Sequence, residues 1–301
     1  MTNLIHAVIH AVIAPGFFHS SAVRVALLVG AIVAAANGVV GVFVVIRGQA
    51  FLGHALSDMG ATGGAAAALV GVQVLWGFMV GGFVSGALAD AGVSESRGRD
   101  VATGIVLATA MGFGALFLYL ITTTTTNANI TQTVLFGSVF TVNAALVPAM
   151  ALLSLGTVIL LAVVYRPLLY SSVVPEVATA RGISLRLINT LFLVVVVAAV
   201  EQASLLVGAL LSTTLLVGPA AIAVRLTTRP GWRLTLAALM GALATTIGIV
   251  LAYDSFYWPP AGRGWPDSFF ISTLILLGYL AVMLIPRTDV RRRPAPNGGV
   301  S

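Results

Sequence analysis

Residues 187–225 read LINTLFLVVVVAAVEQASLLVGALLSTTLLVGPAAIAVR. Between Arg186 and Arg225 the only formal charge is Glu201. A helix needs about 20 apolar residues to cross the ~30 Å hydrocarbon core of a bilayer, so this single stretch is long enough for two crossings. Glu201-Gln202-Ala203-Ser204 is its most polar interruption and reads as the tip of a tight helical hairpin between spans near 187–201 and 205–225.

The same pattern extends in both directions. Further apolar runs lie near 22–46, 51–70, 74–90, 101–121, 144–164, 233–253 and 268–286. The runs at 51–70 and 74–90 are separated only by Gly71-Val72-Gln73, a second tight hairpin. The chain is 59% hydrophobic and 8% charged, against about a quarter charged in soluble domains. So few charges cannot cover a surface of this size in water. The expectation is an all-α polytopic membrane helix bundle of about nine transmembrane helices. The 32 glycines fit, because small residues let transmembrane helices approach closely.

All 15 basic residues are Arg, and they cluster at the ends of the apolar runs. That is a topology signal rather than a nucleic-acid surface. With nine spans, 13 of the 15 fall on one side, leaving only Arg24 and Arg263 opposite. The positive-inside rule then puts the N-terminus outside and the C-terminus in the cytoplasm of a bacterial inner membrane. Residues 1–20, with His6, His10 and His19, read as an extracytoplasmic interfacial segment. Residues 21–286 form the membrane domain, and 287–301 a disordered cytoplasmic tail. With no Cys there is neither a disulfide framework nor a thiolate metal site.

Most of the nine acidic residues lie in loops or at span ends, but Asp58 does not. An ionised group at that depth costs at least about 2.5 kcal/mol and usually has a partner or a function. His54 stands four residues earlier, on the same helical face. Imidazole and carboxylate together suit Zn, Mn or Fe(II), and two ligands leave an ion free to move on. An ion pair locking two helices is the other reading. Glu201 reads either as a third ligand or as a hairpin-tip residue facing water. Asn37 reads as a hydrogen-bonding residue of the first span or as one facing a passage. Gly60, Gly63 and Gly64 read as close helix packing.

The break from Tyr165 to Arg186 contains PEVATARG, residues 175–182. Pro175 and Glu176 suit a helix start, and Gly182 suits its C-terminal cap. No Lys is present, so the chain cannot hold the Gly-Lys phosphate loop of an ATPase. No nucleophile–base–acid arrangement is visible, which leaves an intramembrane enzyme without support.

Three stretches together resemble the metal-ion family of ATP-binding-cassette importer permeases: GVFVVIR (41–47) followed by FLGHALSD (51–58), YRPL (165–168) through PEVATARG (175–182), and VG (207–208) through LLVGPAA (215–221). Phe136-Gly137-Ser138 resembles a further element of that family. The family pattern places Asp first and His four residues later; here the order is His54, then Asp58. By resemblance, His54 and Asp58 contact a transported divalent metal ion (zinc, manganese or iron). Residues 166–186 would be the coupling loop that docks on a separate cytoplasmic ATPase, through Pro175, Glu176, Val177, Ala178, Arg181 and Gly182. The resemblance also implies an extracytoplasmic metal-binding protein, a second permease copy, ATP on the partner subunit, and no permanently bound cofactor. A permease for a metal chelate such as a siderophore or cobalamin, or a secondary transporter driven by an ion gradient, are the alternatives.

Overall fold

The computed structural model describes residues 17, 20–91, 96–124, 129–173, 175–258 and 264–284. The interfacial segment expected over residues 1–20, Phe17 and Ser20 apart, and the tail expected over 287–301 lie outside the described residues.

Among the described residues every regular element is helical. Nine long helices match the nine apolar runs: α1 (Ser21–Ile46), α2 (Ala50–Leu69), α3 (Val74–Ala91), α4 (Ser96–Thr124), α6 (Val147–Val173), α8 (Leu185–Val207), α9 (Ala209–Leu226), α10 (Pro230–Ser255) and α11 (Asp267–Leu284). Two short helices join them, α5 (Asn129–Phe136) and α7 (Pro175–Ala180). Seven helices are long and apolar enough to cross a membrane, and α3 is a shorter apolar helix. The exception is α2, whose apolar run is diluted by His54, Ser57, Asp58 and Thr62. Two of these side chains are turned inward: Ser57 is fully buried and Asp58 nearly so.

α1 and α8 are the most enclosed helices. α1 packs against α6, α8, α9 and α10, whereas α8 packs against α2, α3, α6 and α9. The outward faces carry Leu28, Leu152, Val163, Leu239 and Leu276, all exposed. A surface of this kind is stable only against lipid, where the backbone polar groups are already satisfied within each helix.

Polar side chains tie the centre together. Asn37 of α1 donates Nδ2 to the carbonyls of Val33 and, across the interface, Ala199 of α8, both at 3.0 Å. Gln202 of α8 accepts from Ser154 of α6 at 2.8 Å. Thr62 of α2 donates to the carbonyl of Ala110 of α4 at 2.8 Å. Arg47, which caps α1, donates to Asn189 Oδ1 near the start of α8 and lies 4.9 Å over the Phe192 ring.

Two boundaries differ from the sequence reading. The helix begun at Val147 runs on through Tyr165, Arg166 and Pro167 to Val173, so the connection to α8 is shorter than the 166–186 break implied. Pro167 removes one backbone donor, but Leu168 beyond it is fully buried against α8's apolar face, and packing outweighs the missing bond. The hairpin tip expected at Glu201-Gln202-Ala203-Ser204 lies instead inside α8, and the chain breaks at Gly208. Gly208 has φ +87° and meets Gly137, with φ +70°, across a backbone-to-backbone contact. A Cβ on either would overlap the other segment's main chain.

Gly208→Ala is therefore expected to cost at least about 2 kcal/mol, combining a left-handed backbone with the overlap. Gly156→Ala in α6, with open space at its Cβ, serves as the neutral control. Thermal unfolding of the detergent-purified variants measures the difference. Equal midpoints for the two would contradict this account of the break.

Candidate cation site and its helical frame

The four-residue step from His54 to Asp58 is about one helical turn, and the structure brings the pair together as the spacing requires. His54 Nε2 stands 3.6 Å from Asp58 Oδ2. That is too long for a hydrogen bond. Two ligands each about 2.1 Å from one ion stand about 3–3.5 Å apart, so the gap lies close to the bite of a single divalent cation. His54 is half-exposed at 42% of its side chain and Asp58 is 8% exposed. The imidazole is thus accessible, and the carboxylate faces the bundle interior.

Thr213 of α9 fixes the imidazole from its other side, with Oγ1 3.3 Å from His54 Nδ1. A hydrogen bond at one ring nitrogen orients the ring and leaves the other nitrogen for a ligand. Thr213 was not identified from sequence. Its only signal was membership in the polar Ser212-Thr213-Thr214 step of an otherwise apolar span.

Ser57 anchors the same turn of α2. Its Oγ lies 2.8 Å from Ser204 Oγ of α8, 2.5 Å from Ser212 Oγ of α9, and donates to the Ala209 carbonyl at 2.8 Å. The three hydroxyls straddle the break at Gly208. Ser57 and Ser212 both donate to the Ala209 carbonyl in the first turn of α9, and the cluster pins α2 to both flanking helices.

Glu201 is fully buried, contrary to the water-facing hairpin tip that its polar neighbours suggested. Its carboxylate fills a niche between Gly60 of α2 and Gly82 of α3; a Cβ on either glycine would overlap it. Neither oxygen has a hydrogen-bond partner among the described residues. No three of His, Cys, Asp or Glu gather into a metal-holding cluster among the described residues. His54 and Asp58 stand as a pair, and the Glu201 carboxylate packs against Gly60 on the same helix.

At the far end of α6 the segment 175–182 forms α7, with Pro175 at its first position. Gly182, at φ +74°, closes it: its N–H reaches the Thr179 carbonyl at 2.9 Å, and Ile183 N–H reaches Ala178 at 3.1 Å. This is the paired capping pattern of a helix ended by glycine. Ala178 is buried, whereas Glu176, Thr179 and Ala180 are exposed, and Arg181 lies 5.0 Å over the Tyr170 ring. α7 packs on α6 and α8, the latter carrying Glu201.

The chain is a many-spanned helical bundle with one polar helix packed against its enclosed core and a short glycine-capped helix at one end. The chain belongs to the ABC 3 transport family, whose sequence model matches residues 19–263. It is 32% identical over 239 residues to the manganese transport system membrane protein MntC of Halalkalibacterium halodurans, covering 77% of this chain and 78% of that protein. It is 28% identical over 285 residues to the chelated iron transport system membrane protein YfeC of Yersinia pestis, covering 90% and 92%. Its fold is similar to a chain of PsaBC from Streptococcus pneumoniae in complex with Fab, with TM-score 0.77, 21% identity, and 90% and 94% of the two chains covered.

Ser57→Ala should destabilise the protein by about 1–3 kcal/mol, because buried partners lose a hydroxyl they depend on. Thr109→Ala, which removes an exposed hydroxyl bonded within its own helix, should have little effect. A comparison of unfolding midpoints in detergent tests this, and a Ser57→Ala midpoint matching the control would contradict it.

Proposed function

We propose that this chain is the membrane-spanning permease subunit of an ATP-driven importer of a divalent metal ion of the manganese, zinc or iron class. The observation that carries the reading is the His54–Asp58 pair: two ligands of borderline hardness, spaced for one ion, on the polar helix of an apolar bundle. Two protein ligands bind an ion well enough to admit it and weakly enough to release it. The names of the relatives, manganese for one and chelated iron for another, support the substrate class. A bare ion suits the pair better than a chelate, whose own ligands would already occupy the metal.

The remaining parts follow from what the chain lacks and where its charges lie. Without Lys it has no phosphate loop, so ATP is hydrolysed on a separate cytoplasmic ATPase. α7 is the docking element. Its exposed Glu176, Thr179, Ala180 and Arg181 meet the ATPase, and its buried Ala178 transmits the movement to α6 and α8. The Arg clusters place α7 on the cytoplasmic side, the N-terminus outside and the C-terminus inside. An extracytoplasmic binding protein delivers the ion, and a second permease copy completes the passage.

The test is cellular metal content by elemental mass spectrometry in cells carrying the complete transporter, after exposure to a mixed panel of divalent ions. His54→Ala and Asp58→Ala are each expected to lower accumulation of one metal by about tenfold or more with the protein still in the membrane. Unchanged uptake in both variants would overturn the pair's role. A separate variant, Glu176→Arg, should reduce co-purification of the ATPase while leaving manganous-ion binding by the permease intact; unchanged co-purification would remove α7 from the docking surface.

A further inference from the structure

A hydroxyl on a buried helix commonly donates to a carbonyl of its own helix about one turn back. The hydroxyls around the candidate site each reach a backbone carbonyl. Ser204 donates to Val200, Ser212 to Ala209, Thr62 to Asp58 and Ala110, and Ser57 to Ala209. Thr213 is different. Among the described residues the hydrogen-bonding partner of its Oγ1 is a side chain, His54 Nδ1, at 3.3 Å.

Packing of α9 on α2 sets this contact. Adjacent Ser212 and Thr213 of α9 reach Ser57 and His54, which lie about one turn apart on α2. Leu216, fully buried, closes on Gly53, where a Cβ would come within 2.8 Å of Leu216 Cδ2. The contacts Ser212–Ser57, Thr213–His54 and Leu216–Gly53 run in opposite chain directions on the two helices. Moving the threonine hydroxyl off the ring would therefore break the serine contact or the leucine packing.

The other ring nitrogen faces the carboxylate. His54 Nε2 stands 3.6 Å from Asp58 Oδ2. A protonated nitrogen beside a carboxylate closes to about 2.7–2.9 Å. The wider gap suits an unprotonated Nε2, whose lone pair and the carboxylate oxygen are both acceptors and are joined only by a cation between them. A neutral imidazole with Nε2 bare carries its proton on Nδ1, and that is the nitrogen beside Thr213 Oγ1.

We propose that Thr213 is a positioning residue of the cation site. Its hydroxyl oxygen accepts from His54 Nδ1–H, holding the tautomer that offers Nε2 to the ion and fixing the ring against Asp58. Thr213 itself does not ligate the ion. This inference rests on the reading of His54 and Asp58 as the passage.

Three variants isolate the hydroxyl. Thr213→Val keeps the shape and removes it, Thr213→Ser retains it, and Thr214→Val makes the same deletion one residue along. Binding of manganous ion to the purified full chain is measured for each, together with uptake by cells carrying the complete transporter. The expected result is a Kd raised about tenfold or more in Thr213→Val, as for other outer partners of metal-binding histidines. Thr213→Ser and Thr214→Val should bind as the unaltered chain does. In a His54→Ala background, Thr213→Val should lower the residual uptake no further, because the threonine acts through the ring. Undiminished binding in Thr213→Val, binding as weak in Thr213→Ser as in Thr213→Val, a further drop in the His54→Ala background, or loss of Thr213→Val from the membrane would overturn the assignment. If His54→Ala itself binds and imports manganous ion normally, the pair fails; if His54→Ala is impaired and Thr213→Val is not, the threonine alone is removed.

Discussion

The hydroxyl of Ser57 holds three helices at one point. α8 stops and α9 starts at Gly208, leaving helix-end backbone groups and two serines within an apolar bundle. Such groups cannot turn to water, and unsatisfied each costs several kcal/mol in hydrocarbon. From α2, Ser57 bonds both serines and the Ala209 carbonyl in the first turn of α9. His54 and Asp58 flank it on the same helix, so the contact that closes the break also sets the depth and facing of both candidate ligands.

Around that point the bundle is divided by function. α1 and α8 form an enclosed spine, stitched by Asn37 to the Ala199 carbonyl and by Arg47 to Asn189 and Phe192. α2 lies against the spine with its polar face inward and binds α4 through Thr62. α8 ties the two ends together. It begins beside the glycine-capped α7 and ends beside the hydroxyl cluster, with Glu201 between.

Much of this was written in the sequence. The apolar runs fixed all nine helices to within a few residues at most ends, because nothing but a lipid-embedded helix accommodates them. The turn from His54 to Asp58 and the cap at Gly182 follow from local spacing, and local spacing is what a sequence shows directly. Glu201 was legible as an oddity but not as a buried one. Three polar residues in a run of four look like a turn, and only the fold reveals that Gln202 meets Ser154, Ser204 meets Ser57, and Gly60 and Gly82 leave room for the acid. The extension of α6 through Pro167 was hidden for a related reason: the burial of Leu168 is a tertiary fact. Thr213 needed the pairing of α2 with α9, which no linear pattern encodes.

We propose that a divalent ion passes between His54 and Asp58. The most direct measurement is anomalous X-ray scattering at the manganese absorption edge, from crystals of the full transporter loaded with manganous ion. The account predicts a peak within bonding distance of His54 Nε2 and an Asp58 carboxylate oxygen. A peak elsewhere in the membrane domain, with none at this pair, would contradict it.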